Sequence, residues 1–198
     1  MPTGDSTDTR ARLLRAGLVE LSTHGLAGAR VDRVAAAAGL SKQGIYNYFG
    51  GKDGLFLAVL EKFVTEPLDT LAFDPLDLPD YAGRLFDLLE KQPDIARLIT
   101  WHGIASSPEP ATLPPAMARR VELIRDAQEH GYLRSELNAL ETLLAVHALP
   151  LAWHAHPGLN PPDSAATRLR RREASRDAAR NFAHDVSAAQ RKGTTQHD

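Results

Sequence analysis

Residues 31–49, VDRVAAAAGLSKQGIYNYF, decide the fold, because they predict two short helices joined by a tight turn. Four apolar residues recur at helical spacing on the first helix: Val31, Val34, Ala35 and Ala38. Gly39 is expected to end this helix, with Leu40 folding back as the hydrophobic contact that closes the turn. Ser41 is placed to cap the second helix, whose Ile45 and Phe49 point inward.

The second helix presents small and polar residues outward, namely Lys42, Gln43, Gly44, Tyr46 and Asn47. Their donors and acceptors suit DNA phosphates and base edges. In a helix-turn-helix, such a helix enters the major groove of DNA, so the stretch predicts a DNA-binding unit. Helical hairpins also occur in proteins that bind no nucleic acid, and the flanking sequence decides between the two readings.

The flanks extend the pattern. Upstream, a leucine stripe predicts a preceding helix with Thr9 as a possible cap and Gly25 as its stop. Downstream, Lys52 lies in the first turn of a fourth helix, where a cation opposes the helix dipole. We therefore expect Lys52 to contact a phosphate.

With these motifs in place, residues 9–63 resemble the N-terminal DNA-binding domain of the TetR family of bacterial transcriptional regulators. The shared motifs are Leu13-Leu14-x-Ala16, Gly25, Val31-x-x-Val34-Ala35-x-x-Ala38-Gly39-Leu40-Ser41, Ile45-Tyr46-x-x-Phe49, and Lys52 with Leu55. The resemblance implies that Tyr46 and Lys52 grip phosphates, and that Lys42, Gln43, Gly44 and Asn47 read or border bases.

The chain departs from the family before the second helix and at Gly50-Gly51, where family members usually have Pro-Ser, so we expect a looser entry into the fourth helix. Family members usually carry Thr or Ser before the second helix, where this chain has Ala29 and Arg30. The helix thereby loses a side-chain cap, worth about 1 kcal/mol, and gains a cation near the DNA. Gly44 either lets the backbone approach a base closely or is a tolerated helix glycine, and both interpretations stay open.

Beyond residue 63 the sequence pattern is helical throughout, and proline-rich segments separate the predicted helices. The sequence therefore predicts an all-α protein, with an N-terminal three-helix helix-turn-helix head and a C-terminal helical bundle. The expected organisation is a flexible arm (1–8), a DNA-binding domain that includes the linking fourth helix (9–63), a ligand-binding and dimerisation domain (64–190) and a flexible tail (191–198).

A predicted helix over residues 135–154 carries a seam with alternating spacings of three and four, a pattern that helices use to pair. The family resemblance implies that the last two long helices form a dimer interface, and packing within one chain is the alternative. The candidate interface residues are Leu137, Leu140, Leu144, His147 and Leu151, with Phe182 and Val186 from a final helix over 164–190. A homodimer reads two related half-sites, so the expected operator is a palindrome in double-stranded DNA.

The resemblance also implies a small-molecule effector in the C-terminal body. We expect its binding to spoil the half-site spacing and release DNA, while the reverse coupling and an activator role stay open. The candidate lining residues are Tyr81, Phe86, Trp101, His102, Met117, Glu122 and Trp153. Large residues on apolar faces are more often core than ligand contacts. The alternative function is therefore a similar DNA-binding protein without an effector, acting in nucleoid organisation or through protein partners.

The amino-acid composition excludes several classes of function. The net charge of −2 excludes a long basic tail, and residues 1–62 carry eight basic against six acidic residues. The absence of Cys excludes disulfides, thiolate metal sites and a Cys nucleophile. We see no catalytic constellation and expect no enzyme activity, no metal and no cofactor. Without a membrane-length apolar run or a signal-peptide core, we expect a cytoplasmic, nucleoid-associated bacterial protein with no membrane partner.

Overall fold

The computed structural model describes residues 4–105, 113–155 and 164–183. These residues form ten α-helices: α1 (Gly4–Gly28), α2 (Val31–Ala37), α3 (Lys42–Phe49), α4 (Lys52–Leu60), α5 (Glu66–Thr70), α6 (Leu78–Lys91), α7 (Pro93–Ala105), α8 (Pro115–Glu129), α9 (Ala139–Ala155) and α10 (Ala165–Arg180). A π-helical turn (Glu61–Thr65) follows α4, and a short 3₁₀ turn (Pro75–Asp77) precedes α6. No strand occurs among these residues, so the predicted all-α fold is confirmed.

The described residues form two compact units, the first made of residues 4–70 and 89–105, the second of 71–88, 113–155 and 164–183. In the first unit α1 packs against α2, α4 and α7. Its core joins fully buried side chains from every one of these helices and from α3: Leu13, Leu21, Val34, Ile45, Leu55, Val59 and Leu98. Because the inward face of α3 is part of this core, its outward face is held in a fixed orientation.

The N-terminal start of α1 differs from the sequence prediction, whereas the predicted interruption at its C-terminal end is present. The helix begins at Gly4, so residues 4–8 of the predicted flexible arm are helical and Thr9 is not its cap. Residues 1–3 lie outside the described residues. Gly25 interrupts the helix with φ 63° and ψ 175°, as predicted.

Helix α7 packs in the first unit, and the predicted domain boundary at residue 63 stays a prediction. Two hydrogen bonds tie it to α1. The Trp101 indole Nε1 donates to the Ser22 carbonyl oxygen at 3.2 Å, and the Ser22 hydroxyl donates to Asp94 Oδ1 at 3.1 Å. These contacts join residues more than 70 positions apart, which no local pattern reveals.

The second unit packs α9 against α8 and α10. Buried side chains from residues 71–88 and all three helices meet in its core: Leu78, Tyr81, Ile124, Leu143 and Ala179. Helix α9 begins at Ala139, not at residue 135, because Asn138 and Glu141 cap it reciprocally. The Glu141 N–H donates to Asn138 Oδ1 at 3.0 Å, and the Asn138 N–H donates to Glu141 Oε2 at 2.8 Å.

Helix α10 ends at Arg180, ten residues before the predicted end of the last helix. Residues 184–198, which include the predicted flexible tail, lie outside the described residues. Of the helices that the structure describes, none is both long enough and apolar enough to span a membrane.

Candidate nucleic-acid interface

The turn between α2 and α3 forms as the sequence predicts. Gly39 takes φ 67°, a conformation that favours glycine, and the Leu40 N–H donates to the Ala35 carbonyl oxygen at 2.9 Å. Leu40 packs against the core of the first unit, as expected for the contact that closes such a turn. Arg12 also donates to the Ala38 carbonyl oxygen, which gives the end of α2 a partner from α1.

Helix α3 is anchored by Ile45, which is fully buried, and by Phe49, which packs against the same core. The opposite face holds the predicted polar set. Lys42, Gln43, Tyr46 and Asn47 are exposed, Tyr46 by 46%, and Gly44 is half-exposed. The outward orientation of these residues is confirmed, and their contacts with DNA stay a prediction. Tyr48, which the sequence reasoning missed, is exposed on the same helix.

Two of the exposed residues on α3 hydrogen-bond to each other. The Gln43 Nε2 donates to Asn47 Oδ1 at 3.1 Å, one helical turn further on. This bond uses only one hydrogen of the Gln43 amide and leaves its second N–H and its oxygen available. The two amides therefore present an ordered array of donors and acceptors on the face that a base edge would meet.

Lys42 forms an ion pair with Asp32 of α2, with Nζ 3.2 Å from Oδ1. Both side chains are more than half exposed, and such pairs contribute about 0–1 kcal/mol. If Lys42 binds a phosphate instead, the free energy lost with the Asp32 ion pair is therefore small.

Ser41 occupies the N-cap position of α3, with φ −82° and ψ 155°, but its predicted role as a side-chain cap is wrong. In the described part of the chain its hydroxyl makes no capping hydrogen bond. Its carbonyl oxygen instead accepts from the Gly44 N–H at 3.0 Å and closes the first turn.

Lys52, the first residue of α4, donates from Nζ to the Ala27 carbonyl oxygen at 3.3 Å. This lysine therefore also has a local partner at the carbonyl end of α1. The side chain stays half-exposed, and phosphate binding by Lys52 remains a prediction.

Glu20 is a second residue of this region that sequence reasoning missed. Its buried carboxylate accepts from the Arg30 N–H at 2.8 Å and from the Arg33 Nε at 2.9 Å. Although burial opposes it, hydrogen bonding to Arg33 and Arg30 holds the pKa of Glu20 below its usual value. Arg30 makes no side-chain cap of its own within the described residues, and the carboxylate of Glu20 supplies that cap from α1.

The predicted effector residues are not all in one place. Tyr81 and Phe86 are buried in the second unit, and Met117 and Trp153 are half-buried there. The structure places two of the other predicted residues away from this interior. Trp101 lies on α7 and bonds within the first unit, while Glu122 is exposed and pairs with Arg125. His102 lies on α7, and its side chain is outside the described residues.

A buried polar cluster occupies the core of the second unit. The Tyr81 hydroxyl and His147 Nε2 are 2.8 Å apart, and the buried Arg120 guanidinium lies 5.4 Å from the Tyr81 ring centre. Burial first, and then the charge of Arg120, lowers the pKa of His147 to about 4. Burial raises the pKa of Tyr81 to about 12, which Arg120 opposes. His147 is therefore neutral at pH 7.

The predicted dimer seam is partly wrong. His147 is buried against Tyr81 in its own chain, Leu140 and Phe182 pack against the same core, and Leu137 precedes α9. Leu144 is 49% exposed, Ala148 is exposed and Leu151 is half-exposed. The outward apolar face of α9 thus includes Leu144, Ala148 and Leu151. Val186 lies outside the described residues.

Comparison with known proteins covers both units. Residues 13–59 match the family model described as bacterial regulatory proteins, tetR family, and residues 77–181 match the one described as tetracyclin repressor-like, C-terminal domain. The HTH-type transcriptional repressor SCO4008 of Streptomyces coelicolor is 37% identical over 153 residues, which are 75% of this chain and 80% of the relative.

Solved structures agree in fold. The crystal structure of SCO4942 from Streptomyces coelicolor, described as a transcriptional regulator, superposes with a TM-score of 0.71 at 34% identity, covering 87% of this chain and 97% of the other. The SmeT–triclosan complex gives a TM-score of 0.60 at 18% identity, covering 89% of this chain and 92% of the other, and supports the fold alone.

Proposed function

Because this chain belongs to the TetR family of bacterial transcriptional regulators, we propose that it binds a palindromic operator as a homodimer and that a small-molecule effector releases it. The protein is a DNA-binding transcriptional repressor. Members of this family are regulators rather than enzymes, and we propose that this chain has no catalytic activity. We place it in the bacterial cytoplasm, on the nucleoid, where its DNA target lies.

The main support for the DNA-binding assignment is that α3 has one face buried in the core and an opposite face of exposed polar residues. The buried Ile45 fixes the helix in the core, while Lys42, Gln43, Tyr46 and Asn47 face outward. Reading base edges requires donors and acceptors held in register, and a helix anchored in a packed core meets this requirement.

The apolar surface of α9 and α10 supports the homodimer. These helices pack together in the second unit, yet Leu144 of α9 is 49% exposed and Leu169 of α10 is 59% exposed. Covering apolar surface gains about 25 cal/mol per Å². We propose that a second copy covers these leucines, with Ala148 and Leu151 completing the face. The twofold axis of such a dimer then requires a palindromic operator.

The buried polar cluster supports the proposed effector response. Ligand sites combine apolar walls with a few polar anchors, and Arg120, Tyr81 and His147 are polar groups set among apolar side chains. We propose that the effector engages these groups in a conformation that binds DNA poorly. Only a difference in effector affinity between the two conformations can shift the equilibrium.

The second candidate is a repressor that has no effector and acts in nucleoid organisation or through protein partners. The full burial of Tyr81 and Phe86 favours it, since their own chain already covers both side chains.

The experiment combines operator selection with a release screen. The purified chain first selects bound fragments from genomic DNA, and a labelled operator then reports release when small molecules are added. Release by a compound that also raises the thermal midpoint of the protein supports the effector account. Tight operator binding that no compound relieves supports the second candidate. Failure to enrich any site contradicts both.

A further inference from the structure

We propose that Gly44 is a specificity-determining residue, because the space left by its missing side chain receives the C5-methyl group of a thymine in the operator. This inference rests on the operator binding proposed above. It assigns a stated base chemistry to one position of α3.

Nothing within the described residues requires glycine at this position. Gly44 lies inside α3 and does not share the positive φ of Gly39 and Gly50. Apart from its two chain neighbours and the backbone of its own helix, a Cβ built on Gly44 meets no heavy atom of the described residues within 4 Å. By contrast, a Cβ on Gly17 would lie 3.0 Å from Val59, so packing accounts for that glycine.

Glycine at this position weakens α3. Among ordinary helix residues glycine is the least favourable, whereas alanine is the most favourable. Helix α3 has only eight residues, and its N-cap serine makes no side-chain cap in the described structure. A short helix thus keeps a destabilising residue for which the fold gives no reason, and we infer that the reason is a molecule outside the chain.

The surroundings of Gly44 indicate which molecule. Gln43 and Asn47 border it on the exposed face, with their side chains joined by the 3.1 Å hydrogen bond. The remaining N–H and the oxygen of the Gln43 amide match N7 and the N6 amino group of adenine in the major groove. Adenine pairs with thymine, whose methyl group projects into the same groove and makes apolar contacts.

The open space at Gly44 is compatible with this role. A methyl group in contact with protein carbon atoms lies about 4 Å from them. A side chain at position 44 would project into the space that such a methyl group needs. The geometry therefore assigns A·T pairs to Gln43 and Gly44 within each half-site.

The test is a double-mutant cycle that combines a change in the protein with a change in the selected operator. Each thymine of a half-site is replaced in turn by deoxyuridine, which lacks only the methyl group. Dissociation constants are then measured for the native chain and for Gly44→Ala. We expect one thymine whose replacement weakens native binding about fourfold, the equivalent of about 0.8 kcal/mol for one buried methyl-sized group. Gly44→Ala should bind the thymine operator at least tenfold more weakly, and it should regain part of that affinity when deoxyuridine replaces this thymine, because the competing methyl group is then absent.

A stability measurement separates this effect from damage to the fold. Gly44→Ala should raise the thermal midpoint by about 2 °C. The matched control is Gly50→Ala, since its Cβ also meets no described atom within 4 Å while its φ is 71°. This control should lower the thermal midpoint, because alanine is strained there.

Native affinity of Gly44→Ala for the operator would overturn the inference, and so would an equal response of both proteins to every deoxyuridine. In either case the native chain still binds its operator, so the proposed function survives. A native chain that selects no operator would overturn the proposed function and this inference together.

Discussion

Acid should destabilise the second unit through His147, and the structure fixes the size of the effect. The buried imidazole has a pKa of about 4 in the folded protein, against a reference value of 6.5 for the unfolded chain. As the pH falls below 6.5, His147 therefore becomes protonated in the unfolded state but stays neutral in the folded state. Stability is lost progressively from there down to about pH 4.

The magnitude follows from the difference between the two pKa values. At pH 5 the loss from this one group is about 2 kcal/mol, and below pH 4 it approaches about 3 kcal/mol. The groups facing the imidazole are Tyr81 on α6 and Arg120 on α8. Tyr81, whose pKa burial raises to about 12, stays uncharged between pH 4 and pH 7, so the effect belongs to His147.

The assay compares urea unfolding of the native chain and of His147→Gln between pH 7.5 and pH 4.5. Glutamine can hydrogen-bond to the Tyr81 hydroxyl, but it does not titrate. Carboxylates that titrate in both proteins cancel in the difference. We expect the native chain to be the more stable at pH 7.5, with its advantage shrinking by about 2 kcal/mol by pH 5. A difference that does not depend on pH would refute the reasoning.

Three further perturbations test other parts of the account. Glu20→Gln weakens the ion pair with Arg33, and calorimetry should show a loss of about 1–3 kcal/mol together with weaker operator binding. An unchanged melting temperature would show that Glu20 does not hold α2 in position. Leu144→Glu places a charge on the proposed dimer face, so sedimentation should detect monomers, while a persisting dimer would locate the interface elsewhere. Tyr46→Phe removes a hydroxyl proposed to bind a phosphate and should weaken binding to all DNA sequences alike, with a loss confined to the operator arguing against that role.

The sequence predicted the outward face of α3 because that prediction depends only on local spacing. Ile45 and Phe49 repeat at four residues and mark the buried side, which leaves Lys42, Gln43 and Tyr46 outward. The turn at Gly39 was equally local. Such features need no knowledge of distant parts of the chain.

The errors arose where distant residues decide the outcome. Glu20 caps α2 from ten positions away, and Trp101 joins α7 to α1 across 79 residues. His147 fitted a pairing seam by spacing, but a spacing cannot say whether a second chain or Tyr81 covers the residue. Sequence patterns show which faces are apolar, and only the packed structure shows what covers them.

The central claim, that α3 reads the operator, is tested most directly by comparing the base preferences of the native chain and of Gln43→Ala in the same DNA selection. We expect both proteins to enrich a palindrome. The variant should lose its preference for adenine at one symmetry-related pair of positions, at a cost of about 1–3 kcal/mol per contact. Identical base preferences at every position would contradict the claim.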